Sequence, residues 1–385
     1  MICGSVSRVH NESDEQLVIS NAFPSCTVVM EPQIHLASYA KFYADHAKLI
    51  RLRFIAHVCP KLRVEALQLA IDQVKTTYNV KLYDELYKEL ERSVAIMDNG
   101  EKAAPSARHQ VKAQSNVCKK SPSYDAYWVE DNTMESTLLQ QELDAELNFK
   151  KCNSGGAYVR RIIEEIGDYH VKSGNLQQAI KYYARARAYC TNSDHVINMF
   201  RNLIKVSIYM GNWWHVLSYI DDAKQYAIGF ENMAREVPAR LSCAAGVAYM
   251  CLKIYKTAAH CFLLVPFDRY DYDDIVAPQD VAYYAGLCAL ASFDLTMLQL
   301  GCLNAESFKP FLSLAPKMWD IMLKFCRGEY GSCMHMLHDI EAHIRLDVYL
   351  APHVDTLYQN IRARMQELQL GVGQFVSRKQ LQLEI

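Results

Sequence analysis

Apolar residues recur at helical spacing along much of this chain, and over its second half the pattern itself repeats. The stretch "GNLQQAIKYYARA" opens at Gly174 and "GNWWHVLSYIDDA" at Gly211, each a Gly-Asn pair followed by an apolar run. Aligning Gly174, Gly211, Lys253, Phe293 and Gly328 brings similar residues to fixed offsets. Two places on stand Leu176, Trp213, Tyr255, Leu295 and Tyr330; five on, Ala179, Val216, Ala258, Leu298 and Cys333. Nine on stand Tyr183, Ile220, Phe262, Cys302 and Leu337; twelve on, Ala186, Ala223, Val265, Ala305 and Ile340. Such offsets trace one face of an α-helix, and every residue on it is apolar or small. A preceding helix is marked three places before each anchor by Val171, Ile208, Met250, Leu290 and Phe325. Seven places before stand Gly167, Ile204, Gly246, Gly286 and Ile321, where the three glycines allow close helix approach. Anchor spacings of 37, 42, 40 and 35 residues suit a helix-turn-helix solenoid related to tetratricopeptide repeats.

Each Gly-Asn pair then has a physical role. Glycine just past a helix accepts the left-handed conformation that satisfies the last carbonyls, and asparagine caps the helix that follows. Gly174, Leu176, Ala179, Gly211, Trp213, Val216, Tyr255 and Ala258 are thus the structural positions of the repeat. Trp213 and Tyr255 are expected to be buried at repeat junctions. Trp214 lies about 100° further round its helix and is the candidate partner contact.

Further helices precede the array. "LRVEALQLAIDQVKTTY" places Leu67, Ala70, Ile71, Val74 and Tyr78 on one face, and the next run does the same with Tyr83, Leu86, Tyr87, Leu90, Val94 and Met97. Pro60 separates the first of these from "KLIRLRFIAHVC". From Asp98 to Asp131 the periodicity lapses, with Pro105, Pro122 and scattered serines, as in a flexible linker. Its Lys102, Arg108, Lys112, Lys119 and Lys120 are either a solvated surface or a site for an anionic partner. Helicity is expected to resume near Asn132, where "NTME" has the form of a capping box. No stretch shows strand alternation.

Composition narrows the class. An apolar fraction of 51% over 385 residues fills a substantial core. The formal net charge of −2 supplies no general attraction to nucleic acid or anionic membrane. None of the 13 cysteines forms a C-x-x-C pair, and several lie in apolar helical runs, which points to a reducing, intracellular setting. The first residues carry no secretory signal, and no apolar run reaches the ~18 residues of a membrane span.

The residues resemble a known family. "SYAKFYADHAKLIRLRFIAHVCPKLRVEALQLAID" (38–72) is similar to the N-terminal region of the first subunits of the COP9 signalosome. "AIKYYARARAYCTNSDHVINMFRNLIKVSIYMGNWWHVLSYI" (179–220) looks like that family's most characteristic block. "CAAGVAYMCLKIYKTAAHCFLL", "VAYYAGLCALASFD" and "LDVYLAPHVDTLYQNIRAR" continue the match in order. The resemblance implies an all-α, tetratricopeptide-like solenoid leading into a PCI module, which has a helical part and a winged-helix part. It implies a noncatalytic scaffold in the cytoplasm and nucleus, whose partners are other signalosome subunits and, indirectly, cullin-RING ubiquitin ligases. The assembled complex removes the ubiquitin-like modifier NEDD8 from cullins, with its metal-dependent site on another subunit. Neither cofactor nor metal is expected for this chain.

The residues after Arg364 are too few for a winged helix, so the expectation is a diverged form truncated before it. The expected organisation is a disordered terminus (1–30), an N-terminal helical region (31–97), the linker (98–131), the repeat array (132–265), a repeat or PCI helical part (266–370) and a divergent tail (371–385). A proteasome-lid subunit, which shares repeats and PCI module, and a free-standing adaptor or competing paralogue are the alternatives. The isopeptidase pattern of two histidines one residue apart is missing, as are H-E-x-x-H and the phosphate-binding P-loop. His335, His338 and His343 stand near Asp339 and Glu341, and read as polar surface rather than a metal site.

Overall fold

The computed structural model describes residues 27–383 apart from 33, 104–122, 154, 228–236, 269, 271 and 273; side chains of 97–103, 227, 237–239 and 371–383 are likewise not described. Every regular element among the described residues is helical.

Four helices form an N-terminal unit: α1 (Leu36–Tyr39), α2 (Asp45–Val58), α3 (Arg63–Val74) and α4 (Val80–Ala103). A long helix, α5 (Ala126–Asn153), leads into antiparallel pairs. The pairs are α6 (Gly156–Lys172) with α7 (Leu176–Ala186), α8 (Ser193–Tyr209) with α9 (Trp213–Ala227), and α10 (Val237–Cys251) with α11 (Tyr255–Leu263). Next come α12 (Pro278–Ser292) and the short α13 (Leu295–Met297), which continues as a π-helical stretch from Leu298 to Leu303. After α14 (Lys309–Leu314), α15 (Pro316–Cys326) pairs with α16 (Tyr330–Ile344), and α17 (Val354–Leu383) closes the described chain.

All five sequence anchors fall at the corners between paired helices. Gly174, Gly211 and Gly328 have φ of +79°, +70° and +77°, and Lys253 adopts the same left-handed form at +63°. At Gly174 the Asn175 amide donates to the His170 carbonyl (2.8 Å) and the Gly174 amide to that of Val171 (3.1 Å). Donors and acceptors in the same register recur at the corners of Gly211, Lys253 and Gly328. These paired bonds satisfy orphan carbonyls of the ending helix and require a positive φ at the anchor. Phe293 is the exception: its backbone is extended and the corner is made without a left-handed residue. The expectation for asparagine needs a correction. Asn175 occupies the N-cap of α7, yet its side chain makes no capping hydrogen bond.

Packing explains the offsets. All five residues at offset five, and all five at offset nine, are completely buried. The glycines seven places before the anchor match large rings nine places after it. A Cβ on Gly167 would lie 2.5 Å from the Tyr183 ring, and one on Gly246 would lie 2.7 Å from the Phe262 ring. Where the later residue is aliphatic, as in Ile220 and Leu337, the earlier one is isoleucine, Ile204 and Ile321. Gly286 departs from this rule, because Met318 of α15 fills its space.

Three expected boundaries shift. Residues 27–30, placed in a disordered terminus, include a buried Val29 whose amide donates to the Val58 carbonyl at 3.0 Å. The linker expected over 98–131 is helical at both ends, since α4 runs to Ala103 and α5 begins at Ala126. Asn132 therefore does not start a helix; it lies inside α5, buried, and its amide donates to the Thr77 carbonyl at 2.8 Å. The "NTME" text looked like a cap because asparagine favours caps in general, while here a tertiary acceptor holds it mid-helix. Four of the linker's basic residues, Arg108, Lys112, Lys119 and Lys120, lie outside the described residues, as does the side chain of Lys102. The helix α17 continues through the expected divergent tail as far as Leu383.

Candidate functional site

The N-terminal unit folds back along the row of corners and braces the array. At its near end the Tyr78 amide donates to the Lys172 carbonyl at 3.2 Å, and the side chain of Asn79 lies against Gly174. In the middle, the His46 ring packs at a tilt against that of Tyr209, with ring centres 4.8 Å apart. At its far end, Arg345 donates to Glu341, to Asp355 and to the Thr27 hydroxyl (2.8, 2.5 and 3.2 Å). The hydrophobic core of the unit also takes in Ala277, Leu346 and Ala351 from the C-terminal part of the array.

At the heart of this contact is a buried charge. Arg51, on α2, is only 1% exposed. It donates to Asp347, to the Ile275 carbonyl at 3.2 Å and to the Tyr284 hydroxyl at 3.4 Å. Asp280 lies 3.5 Å away, and the guanidinium sits 4.1 Å above the Tyr43 ring. Both carboxylates of the knot accept further hydrogen bonds. Asp347 accepts from the Tyr284 hydroxyl at 2.8 Å and from the Tyr349 and Leu350 amides at 3.0 and 2.9 Å. Asp280 accepts from the Tyr43 hydroxyl at 2.6 Å and the Ala277 amide at 3.2 Å. Burial raises the Asp280 carboxyl above its ordinary range even though Arg51 opposes the shift. A buried ion pair of this kind contributes little net energy over an apolar filling, but breaking one side of it is costly. It fixes the angle of the brace against α12 and the loop after α16. Sequence reasoning missed the knot. The signal was present, because Arg51 shares a helical face with Ala47, Phe54, Ile55 and Val58, where an arginine needs a buried partner.

The repeat positions divide by depth. Ala179, Val216 and Ala258 are fully buried and Tyr255 is 6% exposed, with its ring against His353. Leu176 is partly buried beside the core. Trp213, expected to be buried between repeats, is only partly so. As the first residue of α9 it sits on the rim of the corner, where its ring meets Tyr349 edge-on at 5.9 Å. Trp214 is 70% exposed. A second outward-facing apolar set lies on α5, where Tyr127, Met134, Leu138 and Phe149 are all exposed and share one helical face.

His335 and His338 pair with Asp339 and Glu341 on the surface at 3.2 and 3.1 Å, while His343 turns toward Tyr283. No group of three or more metal-ligating side chains occurs among the described residues. Burial pushes the thiols of Cys243, Cys302 and Cys333 up to about 12, far from a reactive thiolate. No helix among the described residues is long and apolar enough to cross a membrane.

A braced array of helical hairpins that presents apolar side chains outward defines a helical-repeat protein. A family model described as 26S proteasome subunit RPN7 matches residues 125–300. Over 382 residues the chain is 40% identical to COP9 signalosome complex subunit 1b of Drosophila melanogaster, covering 92% of this chain and 71% of the fly protein. It is 34% identical to COP9 signalosome complex subunit 1 of Arabidopsis thaliana, covering 88% of this chain and 71% of the plant protein. The corresponding subunit of Emericella nidulans is 29% identical over 90% of this chain and 66% of its own length. The chain belongs to the COP9 signalosome complex subunit 1 family.

Proposed function

We propose that the chain is a noncatalytic scaffold subunit of a COP9 signalosome, supporting removal of NEDD8 from cullins and so regulating cullin-RING ubiquitin ligases. The observation that carries this reading is the 40% identity to the fly subunit across 92% of the chain. A proteasome-lid role finds its support in the RPN7 family model, whose match is confined to 125–300. The signalosome likeness extends well beyond that segment. Trp214 and the exposed face of α5 are the surfaces proposed for neighbouring subunits, since apolar patches of this kind mark protein contacts. The partners are other signalosome subunits and, through them, cullin-RING ligases, in cytoplasm and nucleus, with neither nucleic acid nor membrane involved. The buried thiols support a noncatalytic role.

Native affinity purification of the tagged chain, followed by mass spectrometry, tests the assignment. Signalosome subunits are expected. Recovery of proteasome subunits, or of a free chain acting as an adaptor, would overturn it. Purified alone and incubated with a neddylated cullin, the chain is expected to release no NEDD8 with or without added zinc.

A further inference from the structure

Between the brace and the corners lies a cleft of about 650 Å³, well inside the roughly 300–1,000 Å³ typical of ligand sites. One wall is a face of α2 carrying His46, Ile50 and Arg53, continued by the first turn of α4. The opposite wall is made by the corners at Gly174 and Gly211, and the segment from Val348 to His353 closes the end.

Two features favour an acceptor-rich, negatively charged occupant. Arg53 and Lys81 both line the cleft, and neither is paired with a carboxylate in the ion pairs among the described residues. Among the described residues, Glu85 is the only carboxylate on the walls. The helix α7 begins in the cleft without a side-chain cap from Asn175, and although the Gln178 amide is met by the Asn175 carbonyl at 3.1 Å, the positive end of the helix faces the cleft. His353 is 5% exposed, lines the cleft, and has an Nδ1 with no hydrogen-bond partner. Burial, helped by Lys253, lowers its pKa to about 4, so the ring is neutral and forms part of the apolar end wall. Apolar surface lies alongside these groups, from Trp213, Tyr349, Ile50 and Leu176.

We propose that this cleft binds an extended segment of a partner protein in which an apolar side chain is flanked by carboxylates. The apolar side chain settles against Trp213 and Tyr349. The carboxylates face Arg53 and Lys81, while peptide groups meet the start of α7. The proposal is independent of which assembly the chain enters.

The test uses the full chain and a pool of fluorescent decapeptides in which Phe or Leu alternates with Asp or Glu. Two comparison pools carry Lys for the acids or Ser for the apolar residues. Fluorescence anisotropy is expected to show binding of the acidic apolar pool, at least about tenfold tighter than either comparison pool. Affinity should fall as salt is raised. Combining Arg53→Glu with Lys81→Glu should weaken binding by at least about tenfold, whereas Lys151→Glu on α5 should leave it unchanged. If the charge-reversed chain fails to fold by circular dichroism, Arg53→Gln with Lys81→Gln supplies the same readout without new negative charge. The proposal is overturned if the acidic apolar pool does not bind. Equal binding of the lysine pool, or unchanged binding to a folded charge variant, would overturn it too.

Discussion

Replacing Arg51 with methionine keeps most of the side-chain volume and removes only the charge and its hydrogen bonds. Arg51 is 1% exposed, and Asp280 and Asp347 beside it are 5% and 8% exposed. The variant therefore holds two carboxylates in one dry site without a counter-ion. Breaking one side of such a buried group costs about 3–5 kcal/mol. The pH dependence follows from Asp280. Its folded carboxyl is already raised by burial and held back by Arg51, so without the guanidinium it rises further. A group whose folded pKa is raised stabilises the native state fully below its unfolded value and loses that contribution as pH rises through the folded value. The deficit of Arg51→Met should thus be greatest above neutrality and shrink as pH falls toward the ordinary carboxylate range near about 4. Urea unfolding of wild type and variant, followed by far-ultraviolet circular dichroism across that range, measures the difference directly. Adding Asp280→Asn and Asp347→Asn to Arg51→Met should recover part of the loss at high pH, because no uncompensated charge remains buried. A loss below about 1 kcal/mol above neutrality, or one that grows as pH falls, would refute the reasoning.

Other substitutions probe the array. Gly246→Ala, which places a methyl 2.7 Å from the Phe262 ring, should cost about 1–3 kcal/mol by overpacking, and adding Phe262→Leu should restore part of it in the same denaturation assay. Gly211→Ala meets no atom within 4 Å, so its loss of about 1 kcal/mol reports the left-handed backbone alone. Lys253→Gly should move the midpoint the other way, with a gain of up to about 1 kcal/mol, since Lys253 already holds φ +63°. Trp213→Ala should cost about 2 kcal/mol, less than a fully buried tryptophan, while Trp214→Ala should stay within about 0.5 kcal/mol and instead weaken recovery of partner subunits.

The repeat was legible in the sequence because it rests on local periodicity. A helix face and a left-handed corner are set by residues within a dozen positions of one another, so aligned anchors carried enough information to place every corner. Lys253 shows how far this reaches: no glycine marks that corner, yet the offsets around it put the turn in the right place. The brace was different. Arg51 is separated by hundreds of residues from Asp280 and Asp347, and each reads locally as an ordinary polar position on or beside a helix. The same holds for Asn132, whose cap-like surroundings mean less than the distant Thr77 carbonyl it meets. The cleft, too, exists only once α2 and α4 lie across two corners far along the chain. Periodicity fixes which face of each helix is buried, because water reads that face one helix at a time. Which helices share a buried charge depends on how the whole chain closes, and that closure was decided by tertiary packing alone.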